Sequence, residues 1–339
     1  MLKNLSKSFY TIIFGLVIAI LLGELIITLT LDLPQKNYRN LYISDDYTGY
    51  KHKPNYYGTM GSVPVITNSD GFRVLDDNSS KDYYDIITVG DSFTYGHLIQ
   101  YEKTFQHLLE KKIPYSVLNA GVSGYNLSQT YEALKIYLKK NNPKYVILSI
   151  HVGSDLTSQI DELIDNLKVL NGSLVSKNNL YFSSIIRSYL SSFSNLYYWL
   201  IEVKLKNIYY SLKIDEKSDK VITKNDLTKT VYNENEYLYK KDKIYGYLNE
   251  FLNLVGNKKL IVVSIPRPID ITSKHKHNAN NLLTNIIDDL NITYVDMKQN
   301  ILDNNYSYED LIISEKDLHY NEFGHQILSL EIFKKLEMK

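Results

Sequence analysis

Five short apolar runs, residues 86–89, 116–118, 145–150, 260–265 and 293–295, constrain this chain more than any other feature. Each is rich in Val and Ile and lacks clean alternation, the pattern of strands covered on both faces. Helical stretches lie between and after them, at 104–111, 128–140, 237–254, 279–290 and from about Asn321, the expected cap, to the C-terminus. Strand and helix alternating over short connections predicts a three-layer α/β/α sandwich on a five-stranded parallel sheet. One connection breaks the rhythm. Between Asp155 and about Tyr237 no strand is read, and 185–200 is apolar and aromatic at loosely helical spacing. We read a mainly helical insertion at about 160–236, packed on the core or serving as a lid or membrane-facing platform.

The N-terminus does not belong to this sandwich. Residues 9–31 form an apolar run with Glu24 as the only charge, preceded by Lys3 and Lys7 in an eight-residue flank. A helix of this length rises about 34 Å, enough to cross a hydrocarbon core of about 30 Å. No small-x-small pair follows, and the apolar pattern resumes after Glu24, which favours a retained signal anchor over a cleavable signal peptide. Lys36 and Arg39 on the far side balance the two lysines, so loop charge gives no orientation. Residues 32–80 are polar and Tyr-rich and are broken by Pro34, Pro54, Gly58, Gly61 and Pro64, which predicts an irregular tether or wrapped extension. The expected layout is therefore a flank at 1–8, an anchor at 9–31, a tether at 32–80 and one domain at 81–339.

Charge and cysteine narrow the function classes. Thirty-eight basic residues balance thirty-eight acidic ones, which leaves no basic footprint for nucleic acid. With no cysteine, thiol nucleophiles, thiolate metal sites and lipid-modified cysteine anchors are excluded. His275 and His277 lack acidic or Cys neighbours, so no metal site is expected there. No cofactor motif is read.

The chemistry gathers at strand exits. The first strand runs into Gly90-Asp91-Ser92-Phe93-Thr94-Tyr95-Gly96, which places Ser92 at the carboxyl edge of a parallel sheet, where open α/β folds hold their ligands. The second runs into Asn119-Ala120-Gly121-Val122-Ser123-Gly124-Tyr125-Asn126, where a glycine lets a backbone N–H approach a reacting oxygen. The third ends in His151-Val152-Gly153-Ser154-Asp155. Before the last helix comes Asp317-Leu318-His319, a general base with an acidic group to orient it. His97 at the pocket rim and Arg267, leaving the fourth strand between two prolines, are further candidates, Arg267 as an anion contact. His325 inside the last helix reads as packed.

Four blocks in this order resemble the SGNH (GDSL-type) hydrolases over about residues 85–160 and 237–336. NSDGFR at 68–73 and GYKHKP at 49–54 also resemble membrane-anchored bacterial members, whose hydrolase domain is extracytoplasmic. The resemblance implies a flavodoxin-like sheet, no cofactor, Ser92 as nucleophile, His319 as general base and Asp317 as its partner. It further implies an oxyanion hole from the N–H groups of Ser92 and Gly124, with Asp91 and Asp155 in support. The family's third block carries Asn before its Asp, and Ser154 stands there instead. Either Ser154 substitutes, a neighbour such as His151 takes part, or activity is reduced. The acidic partner lies two residues before the His, not the commoner three. The expected function is a membrane-anchored serine esterase acting on an O-acyl group of an envelope carbohydrate, by hydrolysis or transfer, N-terminus inside and domain outside. Envelope polysaccharide machinery is its expected partner. A non-catalytic carbohydrate-binding or assembly component, and a lipase or thioesterase, are the alternatives.

Overall fold

The computed structural model describes residues 2–31, 41–60, 63–76, 81–158, 167–176, 182–205, 232–256, 259–272, 275, 278–315 and 317–336. In chain order, α1 (Leu2–Thr30) precedes β1 (Tyr42–Asp45), β2 (Gly49–His52), β3 (Tyr57–Met60), β4 (Val63–Thr67) and β5 (Arg73–Val74). Then follow β6 (Ile86–Val89), α2 (Ser92–Tyr95), α3 (Phe105–Glu110), β7 (Val117–Asn119), α4 (Leu127–Lys140) and β8 (Tyr145–His151). The insertion holds β9 (Leu167–Leu170), β10 (Ser173–Ser176), α5 (Phe182–Phe193) and α6 (Asn195–Tyr198), the last continuing as a wider helical stretch, Trp199–Leu205. The remainder is α7 (Glu234–Val255), β11 (Lys259–Ile265), α8 (Pro268–Thr272), α9 (Ala279–Asp289) and β12 (Thr293–Asp296). It ends with α10 (Met297–Asp303), α11 (Tyr308–Leu311), β13 (Ile312–Ser314), β14 (Asp317–Tyr320) and α12 (Glu322–Lys335).

Five strands are parallel, in the order β12-β11-β8-β6-β7, with Ile86 opposite Tyr145 and Val117. Their side chains alternate between two cores. Ile87, Val146, Leu148 and Val262 pack with Leu134 of α4, Phe251 of α7 and Leu283 of α9. Ile86, Ile147, Ile261 and Val263 face Leu109 of α3, Ile301 of α10 and Leu328 of α12. This two-sided burial is why the runs read as continuously apolar. Asn321 caps α12, its side chain accepting from the Gly324 N–H at 3.0 Å.

The sheet has eight strands rather than five. Residues 41–76 are a wrapped extension and not an irregular tether: β5 pairs antiparallel with β7, Arg73 opposite Asn119, and β4 and β3 follow outward. These strands are two to five residues long, and Gly58 and Pro64 lie inside them, so the usual breakers masked them. Their core is aromatic, with Tyr42, Tyr50, Tyr56, Tyr95 and Tyr125 buried together. Three of the extension's tyrosines, Tyr42, Tyr50 and Tyr56, are thus packing material, while Tyr47 and Tyr57 are exposed.

The insertion is not wholly helical. β9 and β10 form a hairpin closed by Asn171 and Gly172, both at positive φ (48° and 72°), a turn with strong preference for Asn-Gly. Of its helices, α6 reaches α1. The Glu24 carboxylate accepts from the Ser194 hydroxyl (2.6 Å) and from the N–H groups of Asn195 (2.6 Å) and Leu196 (3.0 Å). Asn195 Nδ2 donates to Thr28 Oγ1 at 2.7 Å. Gly23 leaves room for Leu196, whose Cδ2 would stand 2.9 Å from a Cβ there. Most of the span Phe9–Thr30 is bare, and among the described residues it is the one helix long and apolar enough to cross a membrane or act as a signal sequence. His277, Lys36, Arg39 and much of the 160–236 insertion lie outside the described residues.

Candidate active site

The exit of β6 is shaped by Gly90. Its φ of +148° suits glycine, and a Cβ there would press on Thr94 Oγ1 and lie 2.7 Å from the Ser149 carbonyl. Asp91 then caps α2, accepting from the Phe93 N–H at 3.0 Å. Ser92 becomes the first residue of that turn, so its own N–H has no intrahelical acceptor. Gly96 closes the turn in the left-handed region. The same strand edge holds Gly124 at φ +82°, with the Tyr50 hydroxyl 2.8 Å from where its Cβ would be. Tyr50 also donates to the Ser123 carbonyl at 3.2 Å, fixing the glycine loop.

Asp317 and His319 come from the other end of the chain, on β14, which pairs with β13 as a hairpin ahead of α12. The structure brings these residues to Ser92. Ser92 Oγ lies 2.7 Å from His319 Nε2, and His319 Nδ1 lies 2.6 Å from Asp317 Oδ1. Asp317 Oδ1 also accepts the His319 N–H at 3.2 Å. Burial pushes the Asp317 carboxyl up, but the His319 bonds and nearby His97 more than offset it and hold the group below the usual range. The arrangement can pass a proton from a serine hydroxyl to an imidazole held in one tautomer.

The surrounding cavity has a volume of about 360 Å³, and Asp91, Gly124, His151, Ser154, Arg267 and Leu318 are among its walls. Phe93 stands between two imidazoles, its ring centroid 4.6 Å from that of His151 and 4.8 Å from that of His319. Ser154 opens a wide helical turn after β8 and lines the cavity. Its hydroxyl lies 2.9 Å from His151 Nδ1, to which its own N–H donates at 3.2 Å. Nδ1 is therefore an acceptor, the other ring nitrogen carries the proton, and the Ser154 hydroxyl is turned onto the imidazole. Asp155 Oδ2 accepts the His151 N–H at 2.9 Å, a structural bond behind the wall. Burial and the neighbouring Asp91 push the Asp155 carboxyl well up, and burial raises Asp91 to about 6.

Sequence reading gave Arg73 no role, yet its guanidinium is buried and donates to the carbonyls of Tyr95 (2.8 Å), Gly96 (2.6 Å) and Ile99 (2.5 Å). It thereby ties β5 to the turn that carries Ser92. The NSDGFR block was its signal. His97 lies beside the triad, its ring centroid 4.3 Å from that of His319 and its Nε2 3.7 Å from Asp317 Oδ2. Burial, with His319 beside it, lowers the His97 imidazole to about 4. Arg267 lines the cavity but grips the buried Asp270 with Nε (2.9 Å) and an Nη (3.1 Å). His325 is packed, as read, its Nδ1 accepting the Phe105 N–H at 3.2 Å. Among the described residues, His97, Asp317 and His319 are grouped closely enough to hold a metal ion. Both His319 nitrogens already face Ser92 and Asp317, so an ion would have to break the triad line.

No protein-family model matches the chain, and no curated protein does. Solved structures of similar fold include a G-D-S-L family lipolytic protein from Desulfitobacterium hafniense, 12% identical with a TM-score of 0.38, covering 76% of this chain and 100% of its own. A family 3 carbohydrate esterase from Clostridium thermocellum is 14% identical at a TM-score of 0.38, covering 74% and 94%. A catalytic mutant of an acetylxylan esterase from Geobacillus stearothermophilus is 14% identical at 0.37, covering 77% and 96%. Superpositions this loose bear on neither activity nor substrate. The weight falls on the order of the four blocks, the parallel sheet and the hydrogen-bonded Ser92, His319 and Asp317, by which the domain has the fold of an SGNH (GDSL-type) hydrolase.

Proposed function

We propose that the protein is a membrane-anchored serine esterase that forms an acyl-enzyme on Ser92. The observation that carries this is the line from Ser92 Oγ to His319 Nε2 and from Nδ1 to Asp317, at 2.7 and 2.6 Å, on the carboxyl edge of the parallel sheet. Ser92 Oγ attacks the ester carbonyl while His319 takes its proton. The oxyanion faces the N–H groups of Ser92 and Gly124. Collapse expels the alcohol, which takes the proton back from His319. Water then frees the acid, or a sugar hydroxyl accepts the acyl group.

The substrate class is an O-acyl, chiefly O-acetyl, group on a cell-envelope carbohydrate. A cavity of about 360 Å³ suits a short acyl chain with one sugar, and the apolar α1 supports a site held near the envelope. The resemblance to membrane-anchored bacterial members favours N-terminus inside and domain outside. Full-length protein in detergent tests the reading with a fluorophosphonate probe and p-nitrophenyl acetate. We expect labelling and turnover that both vanish in Ser92→Ala. A folded wild-type protein that neither labels nor turns over would sink the catalytic reading. A second reading, a non-catalytic carbohydrate-binding component, has one observation in its favour: the Ser154 hydroxyl faces His151 rather than a substrate oxygen.

A further inference from the structure

The insertion has its apolar face on the wrong side for a soluble helix. On α5, Ile186, Tyr189, Leu190 and Phe193 follow the i, i+3, i+4, i+7 spacing of one face, and all are exposed, Phe193 at 78%. Ser191 and Asn195 are turned inward instead. Leu200 and Leu205 extend the exposed apolar set along the next stretch. Polar-aromatic and basic side chains accompany it: Tyr197, Tyr198 and Trp199, the chain's single Trp, with Lys204 Nζ 5.5 Å from the Trp199 ring. Aromatic rings and long cations beside an exposed apolar stripe are what a membrane interface selects.

The depth agrees. From Phe9 to Thr28 a helix rises about 29 Å, the thickness of a hydrocarbon core, so Thr28 falls at its far boundary and Glu24 about 6 Å inside it. At this level α6 is fixed to α1 by the three donors on Glu24 and by the Asn195–Thr28 bond. A carboxylate there needs internal partners, and the insertion supplies them. The apolar stripe therefore begins at the depth where interfacial helices lie, about 5–10 Å into the boundary.

We propose that residues 182–205 form a second membrane-contacting element, lying in the lipid interface and clamped to the anchor through Glu24. This rests on the reading of α1 as a membrane span. It makes the lipid surface the partner of this stripe.

The natural absence of cysteine permits a clean test. Single-cysteine variants Phe193→Cys, Leu200→Cys, Ile18→Cys and Leu302→Cys of the full chain carry an NBD label in phosphatidylcholine–phosphatidylglycerol vesicles, with doxyl lipids as quenchers. We expect severalfold lipid quenching at positions 18, 193 and 200 and none at 302. Quenching at 18 with positions 193 and 200 in water would overturn this proposal and leave the anchor standing. No quenching at 18 would overturn both. Blue-shifted emission at 193 and 200 without lipid quenching would assign the stripe to a protein partner and overturn it as well. Adding Glu24→Ala should weaken quenching at 200 at least twofold; unchanged quenching would refute the clamp.

Discussion

Asp317 and His319 lie two apart on β14, and a strand turns residues i and i+2 to the same face. The shorter spacing thus works because the pair is carried by an extended segment, and it lets Asp317 bond the ring nitrogen remote from Ser92. Asp317→Asn should keep the fold and lower kcat by about 10⁴, the loss seen when the imidazole tautomer is no longer held. His97 touches this pair only by a tilted ring contact and a 3.7 Å approach, so steady-state kinetics of His97→Phe should show less than about a tenfold loss. Ser154 is the third residue to test. An amide reaches past the His151 ring where the hydroxyl does not, and Ser154→Asn should raise kcat by about 10²–10³ if the hole lacks that donor. Asp91 gives a stability prediction. Its folded carboxyl is raised to about 6 against an ordinary 3.8, so the folded state binds more protons in that interval. The stability it contributes is present below about 3.8 and lost as pH rises through about 6. Asp91→Asn keeps an acceptor for the Phe93 N–H and should remove that loss, read as a smaller melting-temperature difference from wild type at pH 4 than at pH 7.

Among the elements, the five parallel strands and the helices between them were legible because both faces are buried and the apolar runs are continuous. The catalytic-type Ser and His were legible for a related reason: strand exits and a helix cap mark them locally. What composition hid was short or interrupted. β4 is interrupted by Pro64 and β5 is two residues long, so neither shows a continuous apolar run. The β9–β10 hairpin was visible in Asn171-Gly172 flanked by apolar residues, and aromatic density nearby drew the reading toward helix. The NSDGFR block marked Arg73 but not its role as a clamp, because its three carbonyl partners lie 22 to 26 residues away, on a turn only the fold brings near. Replacing it tests the coupling of extension and site. Arg73→Met fills the volume but abandons three buried carbonyls, and should cost about 3–5 kcal/mol in denaturant unfolding. Turnover should fall with it, because the turn bearing Ser92 loses its support.

The whole molecule should be sensitive to acid. His52, His151 and His325 are lowered to about 3 and His97 to about 4, burial being the first cause in each. Groups held neutral in this way contribute stability above their unfolded value near 6.5, and that stability is lost as pH falls toward 3. Asp91, Asp155 and Asp296, raised by burial, act in the opposite sense, but they are three against five once His107, also lowered by burial, is counted. Urea midpoints should therefore drop between pH 7 and pH 4.5. A midpoint that holds or rises over this interval would contradict the burial of these imidazoles.

The position of β5 between β4 and β7 also sets an order of events during synthesis. β3, β4 and β5 are made before β7, the strand they must join, and Arg73 pairs with Asn119. At roughly 5–20 residues per second, the ribosome needs on the order of 2–9 s to supply the intervening chain. For that interval a nascent antiparallel hairpin has an open edge and an unmatched guanidinium. Translation speed across residues 75–119 therefore governs how long the first-made part of the sheet is open to mispairing.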